Sequence, residues 1–329
     1  MTGQHFKVTK EDTTLLPFLF SCFPTQSKTG VKHLLSKGQV LVNGEVTTAF
    51  DAPLHPGDQI LVVPKGISIA RQNRDDAREE VEKCGVKIVF EDADYLVVDK
   101  PSGLLTVSTA RGSASKSGHK EKTLYALLNA YVKVNARSQR KEDLINGIRP
   151  DRSTAKVWII HRIDKGTSGL VVFAKNERAK DLLQSRWKEL VIERRYIAFL
   201  EHKLEKESGA VQSWLVENPK SLKMYSSPVE VPDGQLAITH YKVLGWFPNG
   251  RSGYSKVEFS LESGRKNQIR VHAADIGHPI AGDEKYGAET DPIRRLALHA
   301  ATLVFRHPFT GEVVRCKSPL PPAFERLEA

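Results

Sequence analysis

Cysteine is scarce in this chain: Cys22, Cys84 and Cys316 are its three, spread far apart through 329 residues. Thiols at such separations suggest neither a disulfide framework nor a cysteine-built zinc site, and a reducing, cytoplasmic setting is the expectation. Long apolar runs are missing too. No segment approaches the roughly 20 apolar residues of a membrane span, and the opening "MTGQHFKVTKEDTT" has no apolar stretch behind a basic start. Neither secretion nor membrane insertion is expected. The signatures of nucleotide and zinc-protease chemistry are also lacking: there is no GxxxxGK[ST] phosphate cradle, no strand-borne GxGxxG and no HExxH.

What is present is charge of one sign. Lysine and arginine total 49 against 39 acidic residues, a formal net charge of +10. A surface of that sign attracts polyanions over a Debye length of about 10 Å. Nucleic acid is therefore the first partner to consider. A hydrophobic content of 40% is enough for a sizeable core, and the length exceeds one average domain.

The first 65 residues read as a module of their own. In "SKTGVKHLLSKG", Ser27 is placed to cap a helix, Val31, Leu34 and Leu35 recur at helical spacing, and Gly38 suits a left-handed C-terminal position. "QVLVNGEV" alternates apolar and polar residues around Asn43-Gly44, the pair best suited to a type I′ hairpin, and "PGDQILVV" adds a strand. Lys28, Lys32, His33 and Lys37 lie off the apolar stripe. They form either a plain solvated face or one that meets phosphate. Residues 66–85 mix charges of both signs and suit a linker or a solvent-exposed helix.

From residue 86 the pattern changes. "VKIVFEDADYLVVDKPSGL" reads as two short strands around an acidic turn, with Pro101 ending the second. "STARGSASKSGHKEK" is too polar to order itself and is expected to be a mobile loop. "TLYALLNAYVKV" reads as a helix behind Thr123, and a second basic stretch runs from Asn135 towards Lys156. Within this 108–156 insert, the basic residues are either ordinary loop or an arm on RNA backbone. Further on, Asn176 caps an expected helix, and "RRYIAFLEH" and "LALHAATLVFRHPFTG" read as strands.

Between the strand-like runs "VWII" and "LVVFA" lies "HRIDKGTSG", which packs His161, Arg162 and Asp164 into four positions. A kinase loop would need asparagine five residues after an uninterrupted His-Arg-Asp, but Ile163 intervenes and the fifth residue is Gly169. His161 and Asp164 have no clear third metal ligand, and Ser168 lacks the GxSxG elbow. A lone aspartate among basic residues remains.

Taken in order behind "VDKPSGL", the stretches "HRIDKGTSGLVVFAK", "RRYIAFLEH", "SGRKNQIRVHAADIGHPIAGDEKYG" and "LALHAATLVFRHP" resemble the motifs of RluA-type pseudouridine synthases over roughly residues 86–320. Residues 12–64, with "G-x-V-x-V-N-G" at their centre, resemble the S-four (alpha-L) RNA-binding domain. The resemblance implies an α+β chain: a small RNA-binding module at 1–65, a linker at 66–85, and a catalytic domain at 86–329 on a mixed, mainly antiparallel sheet flanked by helices and loops. It implies isomerisation of uridine in RNA with no cofactor and no metal.

It further implies Asp164 as catalytic carboxylate, Tyr196 as the ring that stacks on the extruded base with a hydroxyl able to take part in proton transfer, and Arg270 as the cation beside Asp164. Arg162 would fill the space the base vacates. Lys28, Lys32, His33, Lys37 and Arg265 would meet RNA, and Lys100 would either contact RNA backbone or cap the strand end. His161, Thr167, Gly169 and Ile269 would give structural support. Two positions depart from the pattern: Gly166 replaces an acidic or bulkier residue, and Asn267 a frequent histidine. Ribosomal large-subunit RNA is the favoured target over transfer RNA, and a monomer is expected. A non-catalytic RNA-binding or ribosome-assembly factor on the same fold, and a nucleosidase releasing uracil, stay open at this stage.

Counterion release gives the first test. RNA affinity should fall by more than about tenfold between roughly 50 and 200 mM salt. A flat profile in a filter-binding titration would contradict a basic RNA surface.

Overall fold

The computed structural model describes residues 3–9, 13–108, 122–145, 149, 155–249 and 252–328. The chain divides into two compact units, Met1–Val81 with Asn129–Ala155 and Glu82–Leu128 with Lys156–Ala329.

In the smaller unit, the helices Leu15–Cys22 and Lys28–Ser36 accompany a small antiparallel sheet in the order Gln4–Lys7, Gln59–Val62, Val40–Val42, Glu45–Val46. Ser27 Oγ accepts the Gly30 N–H at 3.1 Å, and Gly38 has φ +62°. Val31 and Leu35 are fully buried with Leu15, Leu19, Val40 and Ile60. Asn43 and Gly44 both take positive φ at the hairpin turn, and the Asn43 amide is held between Asp58 and the Gln59 N–H. The stretch read as a linker is helical over Lys65–Lys83, and its Arg74 pairs with Glu142 at 2.7 Å.

The described residues of the larger unit build an eleven-stranded sheet. Its main path runs Met224–Ser227, Ser208–Glu217, Gln235–Asn249, Ser252–Leu261, Val191–Glu201, Leu298–Arg306, Ser168–Ala174, Tyr95–Lys100, Lys87–Glu91. Val313–Lys317 pairs beside Leu298–Arg306, and Trp158–Ile159 beside Ser168–Ala174. Among the described pairings between named strands, only Ser168–Gly169 against His299–Ala300 is parallel. The strands at the centre are apolar on both faces: Tyr95 to Val98 and Val171 to Ala174 are all without solvent exposure. Helix Glu177–Ser185 covers one face with Ala179 and Leu183, capped by Asn176 Oδ1 on the Ala179 N–H at 2.8 Å.

Two expectations shift, and one element had no reading in the sequence. The helix after Thr123 runs on through the basic stretch to Ile145, because Ala, Arg, Gln and Lys extend a helix at little cost. The single helix expected after Asn176 breaks at Arg186 into Glu177–Ser185 and Trp187–Leu190. The segment around "QIRVH" is a helix, Gln268–Asp275. Its polar residues face inward: Gln268 Nε2 reaches Thr239 Oγ1 at 2.9 Å, and His272 bonds Thr239 and Ser213. An apolar stripe is the usual mark of a buried helix face, and here polar groups interrupt it. The mobile loop expected around 108–122 lies outside the described residues over 109–121, as do 146–148 and 150–154 of the second basic stretch.

Gly169 sits where the catalytic-loop candidate enters the sheet. Its φ is +108°, and a Cβ there would stand 2.2 Å from the Ala300 carbonyl oxygen. No side chain fits. Gly169→Ala should lower stability by roughly 2–4 kcal/mol through backbone strain and overpacking. Gly103→Ala, at φ +87° with open space around it, should cost only the strain, and comparing the two melting temperatures checks the difference.

Candidate active site

The loop His161–Thr167 is held from the segment that follows strand Tyr95–Lys100. Thr106 Oγ1 donates to the Ile163 carbonyl at 2.8 Å and Ser102 Oγ to the Gly166 carbonyl at 2.7 Å. The Gly103 N–H donates to the Lys165 carbonyl at 2.8 Å. The "KPSGLLT" stretch thus binds the backbone on either side of Asp164. Within the loop, the Thr167 N–H turns back on the Asp164 carbonyl at 3.2 Å. Thr167 and Ile163 are buried.

His161 anchors the loop's start. The Val172 N–H donates to its Nε2 at 3.1 Å, and its ring packs 5.1 Å from Trp187. Burial, with help from the Arg194 charge, pushes the imidazole down to about 3. It is a neutral acceptor, which suits a structural part.

Asp164 stands between two groups from the next motif. Arg270 Nη1 donates to its Oδ2 at 3.3 Å, and Asn267 Nδ2 to the same oxygen at 2.5 Å. Arg270 is itself clamped: its Nε and Nη2 meet the two oxygens of Asp283 at 2.7 and 2.6 Å. The Asp283 side chain is wholly buried. Burial works against the guanidinium's charge, but Asp283 and then Asp164 outweigh it, so Arg270 is held above its ordinary value. Removing Asp283 would strand a buried charge at a cost of about 3–5 kcal/mol. The Tyr286 ring lies under Arg270, 5.0 Å from the guanidinium carbon.

These groups face a cavity of about 240 Å³ lined by Arg162, Asp164, Tyr196, Asn267, Ile269 and Arg270 among others. It falls below the roughly 300–1,000 Å³ of drug-sized sites, a scale suited to a single nucleoside. Tyr196 is buried in its wall. Burial raises its hydroxyl above the ordinary range, Arg194 opposing and Asp164 adding to the rise. Arg162 and Arg265 are exposed at the rim. Ile269, also in the lining, is buried.

Of the two readings of Lys100, phosphate contact is overturned and strand-end capping is supported. The residue has no exposed surface, and its Nζ donates to the carbonyls of Pro101, Leu104 and Lys165. Burial and then Arg295 push it down to about 7, against Asp164 and Asp99. An ammonium so enclosed has no donor left for phosphate, and Lys100 instead ties strand end to loop. In the smaller unit, Lys28, Lys32, His33 and Lys37 are all exposed along Lys28–Ser36 and its C-terminus. Gly166, the departure from the motif, faces Leu296: an added Cβ would come within 3.3 Å of that side chain. Asn267, Asp283 and Tyr286 had no catalytic part in the sequence reading, although all three lie inside the quoted motif stretch.

Away from the cavity, Asp92, Asp94 and His307 bring potential metal-ligand atoms within 4.8 Å. His307 Nδ1 accepts the N–H groups of Phe309 and Thr310 at 3.3 and 3.2 Å. The ring proton is therefore on Nε2, which meets Asp92 at 3.1 Å. A protonated nitrogen has no lone pair for a metal.

The depressed His161 gives a pH test. An unfolded imidazole titrates near about 6.5, whereas the folded one is held down to about 3. The unfolded chain therefore takes the proton first, and stability falls as pH drops from about 6.5 towards 3. His161→Gln, which keeps an acceptor for Val172, should lose stability less steeply over that window in parallel chemical denaturations.

The profile of the family described as RNA pseudouridylate synthase matches residues 94–275. An RNA pseudouridine synthase of Bacillus subtilis is 35% identical over 311 residues, 92% of this chain and 89% of the relative. The ribosomal large subunit pseudouridine synthase D of Pasteurella multocida is 32% identical, covering 94% of this chain and 88% of that one. Human RNA pseudouridylate synthase domain containing 4 superposes with a TM-score of 0.53 at 22% identity, over 78% of this chain and 97% of that one, which speaks for the fold. The chain belongs to the RNA pseudouridylate synthase family, of the RluA type, and is an isomerase that converts uridine to pseudouridine in RNA.

Proposed function

We propose that this synthase modifies uridine in large-subunit ribosomal RNA, with Asp164 as its reacting carboxylate. The observation that carries the assignment is Asp164 facing a nucleoside-sized cavity with Arg270 on one of its oxygens and Tyr196 in the same wall. The target follows from relatives such as the large-subunit synthase of Pasteurella multocida.

The reaction breaks the bond from uracil N1 to C1′ and forms one from C5 to C1′. A proton leaves C5 and one is gained at N1, so the net change is isomerisation. A carboxylate beside C1′ attacks or stabilises the sugar as the base departs, and the walls keep the detached ring in place. Arg270 and Asn267 match a carboxylate, which has only lone pairs to offer. Tyr196 offers a face for stacking and a hydroxyl that keeps its proton. A stacked uridine is reached by flipping, at a cost of a few kcal/mol. Arg162, exposed at the rim, has a planar head suited to the vacated place in the stack.

Beyond the cavity, a hollow lined by Lys188, Arg194, Leu236 and Arg265 shares Arg194, Gly264 and Arg265 with it. It suits the strand on either side of the target. The Met1–Val81 part of the smaller unit supports an S-four reading, in which Lys28, Lys32, His33 and Lys37 meet phosphate without reading bases. We place the enzyme in the cytoplasm, in keeping with its unpaired thiols. We further propose that it acts as a single chain.

Asp164→Asn should leave RNA affinity unchanged within about twofold and abolish pseudouridine formation. Pseudouridine mapping in RNA from cells with and without the protein tests the target. Loss of sites confined to transfer RNA would overturn the ribosomal assignment.

A further inference from the structure

The two oxygens of Asp164 are in different positions. Oδ2 receives both Asn267 Nδ2 at 2.5 Å and Arg270 Nη1 at 3.3 Å. No donor among the described residues reaches Oδ1. Arg270 alone would hold the carboxylate weakly, because its Nε and Nη2 are committed to Asp283. The closer of the two donors is the amide.

An asparagine amide presents either its NH₂ or its oxygen, and the choice decides whether it attracts or repels a carboxylate. Tyr286 makes that choice. The Met224 backbone N–H donates to Tyr286 Oη at 3.2 Å, which leaves the phenol proton for Asn267 Oδ1 at 3.1 Å. With its oxygen so occupied, Asn267 turns Nδ2 to Asp164. The Tyr286 ring is buried, flanked by Lys223, Lys285 and Arg270 at 5.2, 5.6 and 5.0 Å. Asn267 is buried as well, and its backbone is left-handed at φ +54°. Asparagine tolerates that conformation better than most residues. The conformation places the side chain immediately before the Gln268–Asp275 helix that carries Arg270.

We propose that Asn267 is a positioning residue, oriented by Tyr286, which pins Oδ2 of Asp164 and leaves Oδ1 as the oxygen presented to C1′ of the target uridine. This rests on the assignment of Asp164 as the reacting carboxylate. Asn267 makes no contact with substrate in this scheme. It acts by removing one of the two orientations the carboxylate could take, so that the free oxygen points into the cavity at every encounter.

The test uses the full chain and a large-subunit ribosomal RNA transcript that the wild type modifies. Asn267→Gly removes the amide while keeping the backbone conformation, which glycine adopts without strain. At saturating RNA its single-turnover rate should fall about 10- to 100-fold. Its RNA affinity should stay within about twofold, and its melting temperature should drop by no more than the loss of the buried Tyr286–Asn267 hydrogen bond explains, the protein staying folded at the assay temperature. Tyr286→Phe should slow the wild type several-fold and have no further effect in the Asn267→Gly background, because the phenol acts through the amide.

An unchanged rate for Asn267→Gly, or independent multiplication of the two effects, would overturn the inference. So would a rate loss that merely follows lost affinity or a lost fraction of folded protein at the assay temperature. Asp164→Asn separates the two levels. If it stays active, the assignment of Asp164 itself fails; if it is inactive while Asn267→Gly is fully active, only the positioning role fails.

Discussion

The candidate active site depends on a loop being gripped through its backbone. Carbonyls of Ile163, Lys165 and Gly166 are taken by Thr106, by Gly103 with Lys100, and by Ser102. A buried carbonyl without a partner costs about 1–3 kcal/mol, so these donors largely decide whether the loop holds one shape. Side chains do not compete for this task and are left for chemistry. Lys100 shows the consequence clearly: its charge is spent inside the protein on main-chain oxygens.

A second buried polar system meets the first at Asp164. Met224, Tyr286, Asn267 and Asp164 form one chain of donors and acceptors, and Asp283 fixes Arg270 from behind. Such networks rigidify when every member is satisfied. The sheet supplies the frame for both. Gly169 permits the Ser168–Ala174 strand to pair with Leu298–Arg306 at a distance no side chain allows, and that pairing sets where the loop emerges.

Much of the frame was legible from local patterns. The Ser27 and Asn176 caps, the Asn43-Gly44 turn and the apolar strands around Tyr95 and Val171 each follow from short-range stereochemistry, and each is found where the pattern puts it. The helix Gln268–Asp275 was not legible as an element. Its buried Gln268 and His272 are satisfied by Thr239 and Ser213, partners about 30 to 60 positions away that no local pattern contains. For Lys100, the choice between phosphate contact and strand-end capping stayed open in the sequence for the same reason. Its neighbours in sequence say nothing of the Lys165 carbonyl that meets it across the fold.

By itself the sequence determined the class of molecule: motif order carried the family, and Asp164, Tyr196 and Arg270 could be named from it as candidates for the site. What only the tertiary structure decided was orientation. Which oxygen of Asp164 is tied, which end of the Asn267 amide faces it, and which lysine is closed off from RNA depend on hydrogen bonds between distant segments. Residue type sets how many donors and acceptors a side chain has. Only the folded chain sets where they point.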